Sequence, residues 1–287
     1  MNCQKPRLAK SSVSSCGTDP VDWTPGEQIW LDVDDTRLEG RCWGPKPPEA
    51  PTIVLLHEGL GSVSLWRDFP KVLSDATGYG VFAYSRQGYG QSDPARLPRR
   101  IDYMTTEAVD VLPRVLDQIG VERCILLGHS DGASIAAIYA GSAEDNRVRG
   151  LCLMAPHFFT EPGGLASIVK AKQAYETTDL RDRMARHHKN VDNAFRGWNG
   201  AWLNPAFAAW NIEDSIDDIH VPVLAIQGLD DQYGTLAQLD ALEARLSAPL
   251  ERVELTECQH APQFEQPQKT LTAIAEFLAW IEDGVAL

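Results

Sequence analysis

The chain alternates short continuous apolar runs with longer stretches in which apolar residues recur at helical spacing. Thr52–His57 (TIVLLH), Gly80–Tyr84, Arg123–Leu127, Val148–Met154 and Val223–Gln227 read as strands, and Leu250–Leu255 follows them. Runs this uniformly apolar fit strands covered on both faces. Between them, Ser64–Thr77 places Leu65, Trp66, Phe69, Val72 and Leu73 on one helical stripe. Thr105–Ile119 is also helical in pattern. Ala133–Gly141 is a small-residue helix, and roughly Pro267–Ile281 closes the chain as an amphipathic one. Ahead of the first buried strand, Glu27–Val33 and Arg37–Trp43 read as a hairpin turning at Asp34-Asp35, and Pro45-Lys46-Pro47-Pro48 as a linker.

Strand and helix in alternation predict an α/β fold: a mostly parallel central sheet with helices on both faces. One interval breaks the rhythm. Residues 158–217 contain no convincing strand and are rich in aromatic side chains. An insertion between two sheet strands is expected over the carboxyl edge of the sheet, where ligands bind in such folds. The expected organisation is a loose N-terminal arm (1–26), a core (27–157 and 218–287) and a helical cap (158–217).

Composition narrows the class. The 287 residues suffice for one large α/β domain or two small ones. A net charge of −14 predicts repulsion from nucleic-acid phosphates and anionic membrane surfaces, so neither is an expected partner. No run approaches the ~20 apolar residues of a membrane span. The first residues are polar and Ser-rich, without the apolar stretch of a secretory signal. The six cysteines, Cys3, Cys16, Cys42, Cys124, Cys152 and Cys258, are scattered without a C-x-x-C pair. That pattern suits a reducing cytoplasm and speaks against a disulfide framework or structural zinc. Cys124 and Cys152 are expected to be buried thiols. His187-His188 is expected on a solvated helix face, since adjacent helical residues point apart. No metal or organic cofactor is implied.

The chemistry concentrates at Gly128-His129-Ser130-Asp131-Gly132-Ala133, directly after a strand and before the small-residue helix. Flanking glycines let strand and helix approach closely while the serine between them is thrust out. The backbone N–H of Asp131 then faces any negative charge that develops near Ser130 Oγ. A serine hydroxyl attacks only when a histidine takes its proton, and a carboxylate must hold that histidine in one tautomer. The loop after Val223–Gln227 offers Asp230 and Asp231, and the loop after Leu250–Leu255 offers His260. Both lie on the same sheet edge as Ser130.

These segments resemble, in order, those of the α/β-hydrolase fold family. His57-Glu58-Gly59-Leu60-Gly61-Ser62 resembles its oxyanion loop. Ser85-Arg86-Gln87-Gly88-Tyr89-Gly90-Gln91-Ser92 resembles its D-x-R-G-x-G-x-S turn, with Ser85 in the place of the Asp. GHSDGA resembles the nucleophile elbow, Gly228-Leu229-Asp230-Asp231 the acid turn, and Cys258-Gln259-His260-Ala261-Pro262 the histidine loop. The resemblance covers nearly all of the chain from about Gln28.

It implies a helical cap and a triad of Ser130 as nucleophile, Asp231 rather than its rival Asp230 as acid, and His260 as base. The oxyanion donors it implies are the backbone N–H groups of Gly59 and Asp131, with Leu60 the alternative to Gly59. His57 and His129 are expected to be structural. A pocket is expected among Glu58, Leu60, His157, Phe158, Trp198, Trp202 and Trp210. Two residues depart from the pattern. Glu58 stands where the family usually has glycine, and Asp131 places an acid beside the nucleophile. The favoured reading of Asp131 is stabilisation of its helix N-terminus; the sharper one is attraction of a substrate ammonium group.

The implied activity is hydrolysis of a small carboxylic ester, lactone or thioester through an acyl-enzyme, on a small-molecule acyl substrate. Amide and C–C bond hydrolysis use the same triad, and a binding protein or receptor on this fold with little turnover is the alternative of another class. A serine nucleophile argues against epoxide hydrolases and haloalkane dehalogenases. The oligomeric state, homodimer included, is left open.

Overall fold

The computed structural model describes residues 21–284. β1 (Gln28–Val33) and β2 (Thr36–Trp43) form the expected hairpin, with Val33 opposite Thr36 and Asp34 at φ 52° in the turn. Trp23, just before it, donates its indole N–H to Gly44 O at 3.1 Å. The rest of the expected arm, residues 1–20 with Cys3 and Cys16, lies outside the described residues.

The buried runs become β3 (Thr52–Leu56), β4 (Gly80–Tyr84), β5 (Cys124–His129), β6 (Val148–Met154), β7 (Val223–Gly228) and β8 (Leu250–Leu255). They join the hairpin in one eight-stranded sheet of order β1-β2-β4-β3-β5-β6-β7-β8. β2 pairs antiparallel with β4, and every pairing from β4 through β3 to β8 is parallel. The order jumps outward on either side of β3 and β5, so the carboxyl ends of those central strands meet at a crevice.

Period-two alternation explains the layers. Ile53 and Leu55 face one core, and Val54 and Leu56 the other. Helix α1 (Phe69–Thr77) covers the first face. On the second lie α2 (Tyr103–Thr106), a π-helical turn (Glu107–Val111), α3 (Leu112–Gln118) and α4 (Asp131–Ser142).

Two expectations need correction here. Ser64–Thr77 is not one helix: a 3₁₀ turn at Val63–Trp66 ends at Arg67, φ 53°, and α1 starts afresh with Pro70 in its first turn. Proline is tolerated there but breaks an interior turn. The stripe is interrupted accordingly, and Val72 is 44% exposed. The helix over Thr105–Ile119 is likewise uneven. Its π turn precedes Pro113, which has no N–H to give to an α-helical ladder.

The interval 158–217 holds α5 (Pro162–Thr177), α6 (Leu180–Met184) and α7 (Val191–Trp202), then 3₁₀ turns at Pro205–Ala209 and Glu213–Asp218. The core resumes with β7, α8 (Ala237–Arg245), β8, α9 (Pro262–Glu265) and α10 (Pro267–Glu282); α10 packs on the same face as α1. Cys42, Cys124, Cys152 and Cys258 are buried free thiols. No helix of the described residues is long and apolar enough to cross a membrane.

Candidate active site

Ser130 occupies the turn between β5 and α4 at φ 53°, ψ −117°. A non-glycine residue takes such a conformation only where its surroundings enforce it. Enforcement comes from packing too tight for side chains on either flank. A Cβ on Gly132 would stand 1.9 Å from Leu56 O, and one on Gly128 2.3 Å from Gly132 O. The Ser130 N–H is bonded to Met154 O at 2.9 Å.

Asp231 and His260 meet. The His260 Nδ1–H donates to Asp231 Oδ2 at 2.8 Å and lies 3.0 Å from Oδ1. The carboxylate also accepts from Tyr233 N–H (2.8 Å) and Gln227 Nε2 (2.7 Å). Burial alone pushes the Asp231 carboxyl up, but the His260 bond and charge and the Tyr233 N–H outweigh it and hold the group below its ordinary range. Asp230 is exposed and reaches the histidine loop only through its backbone N–H, bonded to Cys258 O.

Ser130 and His260 line one cleft, together with Glu58, Gly59, Leu60, Asp131, His157, Trp198 and Trp202. Ile168 of α5 and Tyr233 complete the lining; sequence reasoning missed both. Tyr233 had a signal, two residues past the acid in the same loop. Ile168 had none beyond its place in the insertion. Phe158 and Trp210, expected in the pocket, are not on the cleft. Phe158 is wholly buried, and Trp210 stacks on Phe207 at 5.2 Å between ring centroids. Both pack into the core cluster on the second face of the sheet instead.

The loop after β3, which carries His57, Glu58 and Gly59, is clamped from below. Arg86 donates from its guanidinium to His57 O and to Glu58 O (2.9 Å), and its backbone N–H donates to His57 Nε2 at 3.1 Å. Burial and then the Arg86 charge push His57 well below the ordinary imidazole range, so it is a neutral acceptor. The turn carrying Arg86 solves the missing aspartate in its own way. Ser85 Oγ donates to Glu39 Oε2 at 2.8 Å, and the same oxygen accepts from Gln91 N–H at 2.9 Å. A carboxylate from β2 thus stands in for the one absent at position 85.

Two further acids lie at the cleft. Glu58 folds toward His129, Oε2 lying 3.7 Å from Nδ1, while His129 Nε2 donates to His260 O at 2.6 Å. Burial alone would lower His129, but Glu58 outweighs it and raises the group. Asp131 is fully buried: the Tyr103 hydroxyl donates to its Oδ2, and Oδ1 is sealed from solvent with no partner. Burial pushes this carboxyl up. Asp131 therefore presents no open oxygen to an ammonium group, and it is the acid in the first turn of α4.

His187-His188 is not on a helix. It lies in the turn after α6, and His188 is only 3% exposed. Its Nδ1 accepts from Gly90 N–H and its Nε2–H donates to Leu60 O, both at 3.0 Å. His188 thus pins the insertion to two loops of the core.

The sequence profile of the alpha/beta hydrolase fold matches residues 51–190. Epoxide hydrolase B of Mycobacterium tuberculosis is 34% identical over 110 residues, covering 38% of this chain but only 30% of that protein. The 3-oxoadipate enol-lactonase 1 of Acinetobacter baylyi is 24% identical over 261 residues, 82% of this chain and 91% of that one. The crystal structure of the enol-lactonase from Burkholderia xenovorans superimposes with a TM-score of 0.69 at 22% identity, covering 87% of this chain and 99% of the other. Profile, sheet order and superposition agree on one architecture, and the chain has the α/β-hydrolase fold.

Proposed function

We propose that this protein is a serine hydrolase that cleaves a small carboxylic ester or lactone through an acyl-enzyme. One observation carries the reading: Ser130, strained at φ 53° on the elbow, shares a cleft with a His260 already bonded through Nδ1 to a buried carboxylate. That bond leaves Nε2 free to act as the base. Ser130 Oγ attacks the carbonyl while His260 takes its proton and returns it to the leaving alkoxide. Asp231 holds the imidazole in the productive tautomer and stabilises its charged form. The Gly59 and Asp131 backbone N–H groups hold the oxyanion; each such donor typically contributes about 10²–10³ in rate. Water then repeats the cycle on the acyl-enzyme.

The helical insertion serves as a cap. Trp198, Trp202 and Ile168 line the cleft with Ser130 and give it an apolar wall that excludes water. The near full-length match to a lactonase supports lactones within the ester class. The epoxide hydrolase match covers a minor part of that protein, and a serine at the nucleophile position disfavours that chemistry.

A fluorophosphonate probe tests the reading. Labelling is expected on Ser130, and Ser130→Ala abolishes both labelling and turnover of short-chain esters and lactones while the protein stays folded. Labelling that persists on another serine removes Ser130 as nucleophile. Stoichiometric labelling with neither ester nor lactone turnover turns the assignment to amide or C–C bond cleavage, or to a binding protein.

A further inference from the structure

Two tryptophans one helical turn apart on α7 reach the cleft, and they differ in one respect. Trp202 has committed its indole N–H, which donates to the Tyr103 hydroxyl at 3.0 Å. Trp198 has not. Its Nε1 has no acceptor among the described residues, yet that nitrogen is not sealed from solvent, whereas Trp66 Nε1 is. Trp198 is itself only 6% exposed, and Phe195 packs edge-on against it at 6.0 Å. The side chain is held firmly, with its one polar atom open to the cleft.

Where that atom lies is set by Gly59. A Cβ on Gly59 would stand 2.1 Å from Trp198 Nε1 and 2.3 Å from Cδ1. The indole edge therefore occupies the space of the missing Gly59 side chain. Gly59 is also the residue whose backbone N–H the proposed mechanism aims at the oxyanion. An indole N–H donates and never accepts, so what meets it must be an acceptor brought by the ligand. Beside Gly59, the ligand atom at hand is the carbonyl oxygen.

We infer that Trp198 is a catalytic residue: its Nε1–H is a third donor to the oxyanion, supplied by the insertion rather than by the core. The inference rests on the serine-hydrolase reading above. In the attack, the Ser130 Oγ–carbon bond forms and the serine proton passes to His260 Nε2. The carbonyl π pair moves onto oxygen, where Gly59 N–H, Asp131 N–H and Trp198 Nε1–H meet the charge. Collapse restores the carbonyl and expels the alkoxide, which takes the proton back from His260. A hole completed from α7 is whole only while the insertion is seated, so assembly of the catalytic site is tied to closure over the substrate.

Two replacements at one position test this. W198F removes the N–H and part of the ring, and 3-benzothienylalanine at position 198 exchanges N–H for sulfur within nearly the same outline. Both are expected to lower kcat by about 10- to 100-fold with KM within about twofold, a milder loss than removing one donor of a two-donor hole. Affinity for a trifluoromethyl ketone, which forms a hemiketal oxyanion on the serine, falls in parallel. Phosphonate labelling of Ser130 slows but reaches completion, which keeps this result separate from failure of the nucleophile assignment. If the sulfur isostere holds kcat and ketone affinity within twofold of wild type, the N–H does not serve the oxyanion. A rise in KM with kcat unchanged makes Trp198 a wall of the pocket and overturns the inference equally. A loss confined to substrates with one particular polar substituent assigns the N–H to that substituent instead.

Discussion

Asp230 and Asp231 show how one position separates solvent from chemistry. Asp231 turns inward, where Tyr233 N–H, Gln227 and His260 converge on its carboxylate; Asp230 points outward. Asp231→Asn is expected to lower kcat about 10⁴-fold, the scale of losing the correct tautomer, and Asp230→Asn to leave it within twofold; steady-state kinetics on one ester read both. Ser85 offers a second test at this scale. Restoring the family's aspartate by Ser85→Asp places a carboxylate against Glu39, whose side chain already accepts from position 85 and from Gln91 N–H. Two carboxylates sharing a buried site destabilise one another. The single variant is expected to be less stable by about 1–3 kcal/mol, the penalty of an ill-matched buried polar group. Adding Glu39→Gln, which turns repulsion into a carboxylate–amide hydrogen bond, should recover most of it. Equal, additive losses in a urea double-mutant cycle would show that the two positions do not share one carboxylate's role.

Between elements, the insertion is held by polar contacts as well as by packing. Trp202 of α7 donates to the Tyr103 hydroxyl of α2, which donates to Asp131 at the start of α4. The chain of bonds runs from the insertion to the residue beside Ser130. Tyr103→Phe removes the middle member, so the buried Trp202 indole N–H loses its hydroxyl acceptor and Asp131 Oδ2 its hydroxyl donor. A loss of about 2–4 kcal/mol is expected from two such groups, read as a lower Tm. Ester turnover should fall too, because Asp131 and its N–H are no longer fixed; an unchanged Tm would show that the bonds contribute nothing net. Such links were not legible in the sequence. The strands were, because burial on both faces leaves a continuous apolar run, and so were the five loops at their carboxyl ends, because each follows a strand. What local pattern missed was set by distant partners. His188 looked like a surface residue until Gly90 and Leu60 supplied its bonds. Nothing in the sequence joins Glu39 of β2 to Ser85, which follows the neighbouring β4 and donates to it. Trp210 and Phe158 carried the right side chains for a pocket but were taken by the packing beneath it.

For the molecule as a whole, the buried histidines make stability depend on pH. Burial pushes His188 down to about 4 and His157 to about 3, and burial with the Arg86 charge holds His57 well below its ordinary range. In the unfolded chain each returns to about 6.5. Between those values the unfolded state binds more protons than the folded one, so stability falls as pH falls. For His188 the loss between pH 7 and pH 5 is about 2 kcal/mol, a large share of the roughly 5–15 kcal/mol that holds a domain folded. Other groups act in the opposite direction. Burial raises the carboxyls of Asp131 and Glu107, and Glu58 raises His129, so these favour the folded state as pH falls. The bare acid dependence of the wild type is therefore a sum of opposing terms, and a single-site comparison is the sharper measurement. His188→Gln keeps polar groups near Gly90 N–H and Leu60 O but cannot titrate. In urea denaturation the variant is expected to be less stable than wild type at pH 7, and the gap should narrow by about 2 kcal/mol at pH 5 as the wild type alone loses the contribution of a neutral His188. A gap that stays constant between the two pH values would mean that His188 exchanges its proton with solvent in the folded state. It would then not be the sealed pin between the insertion and the loops of Gly90 and Leu60.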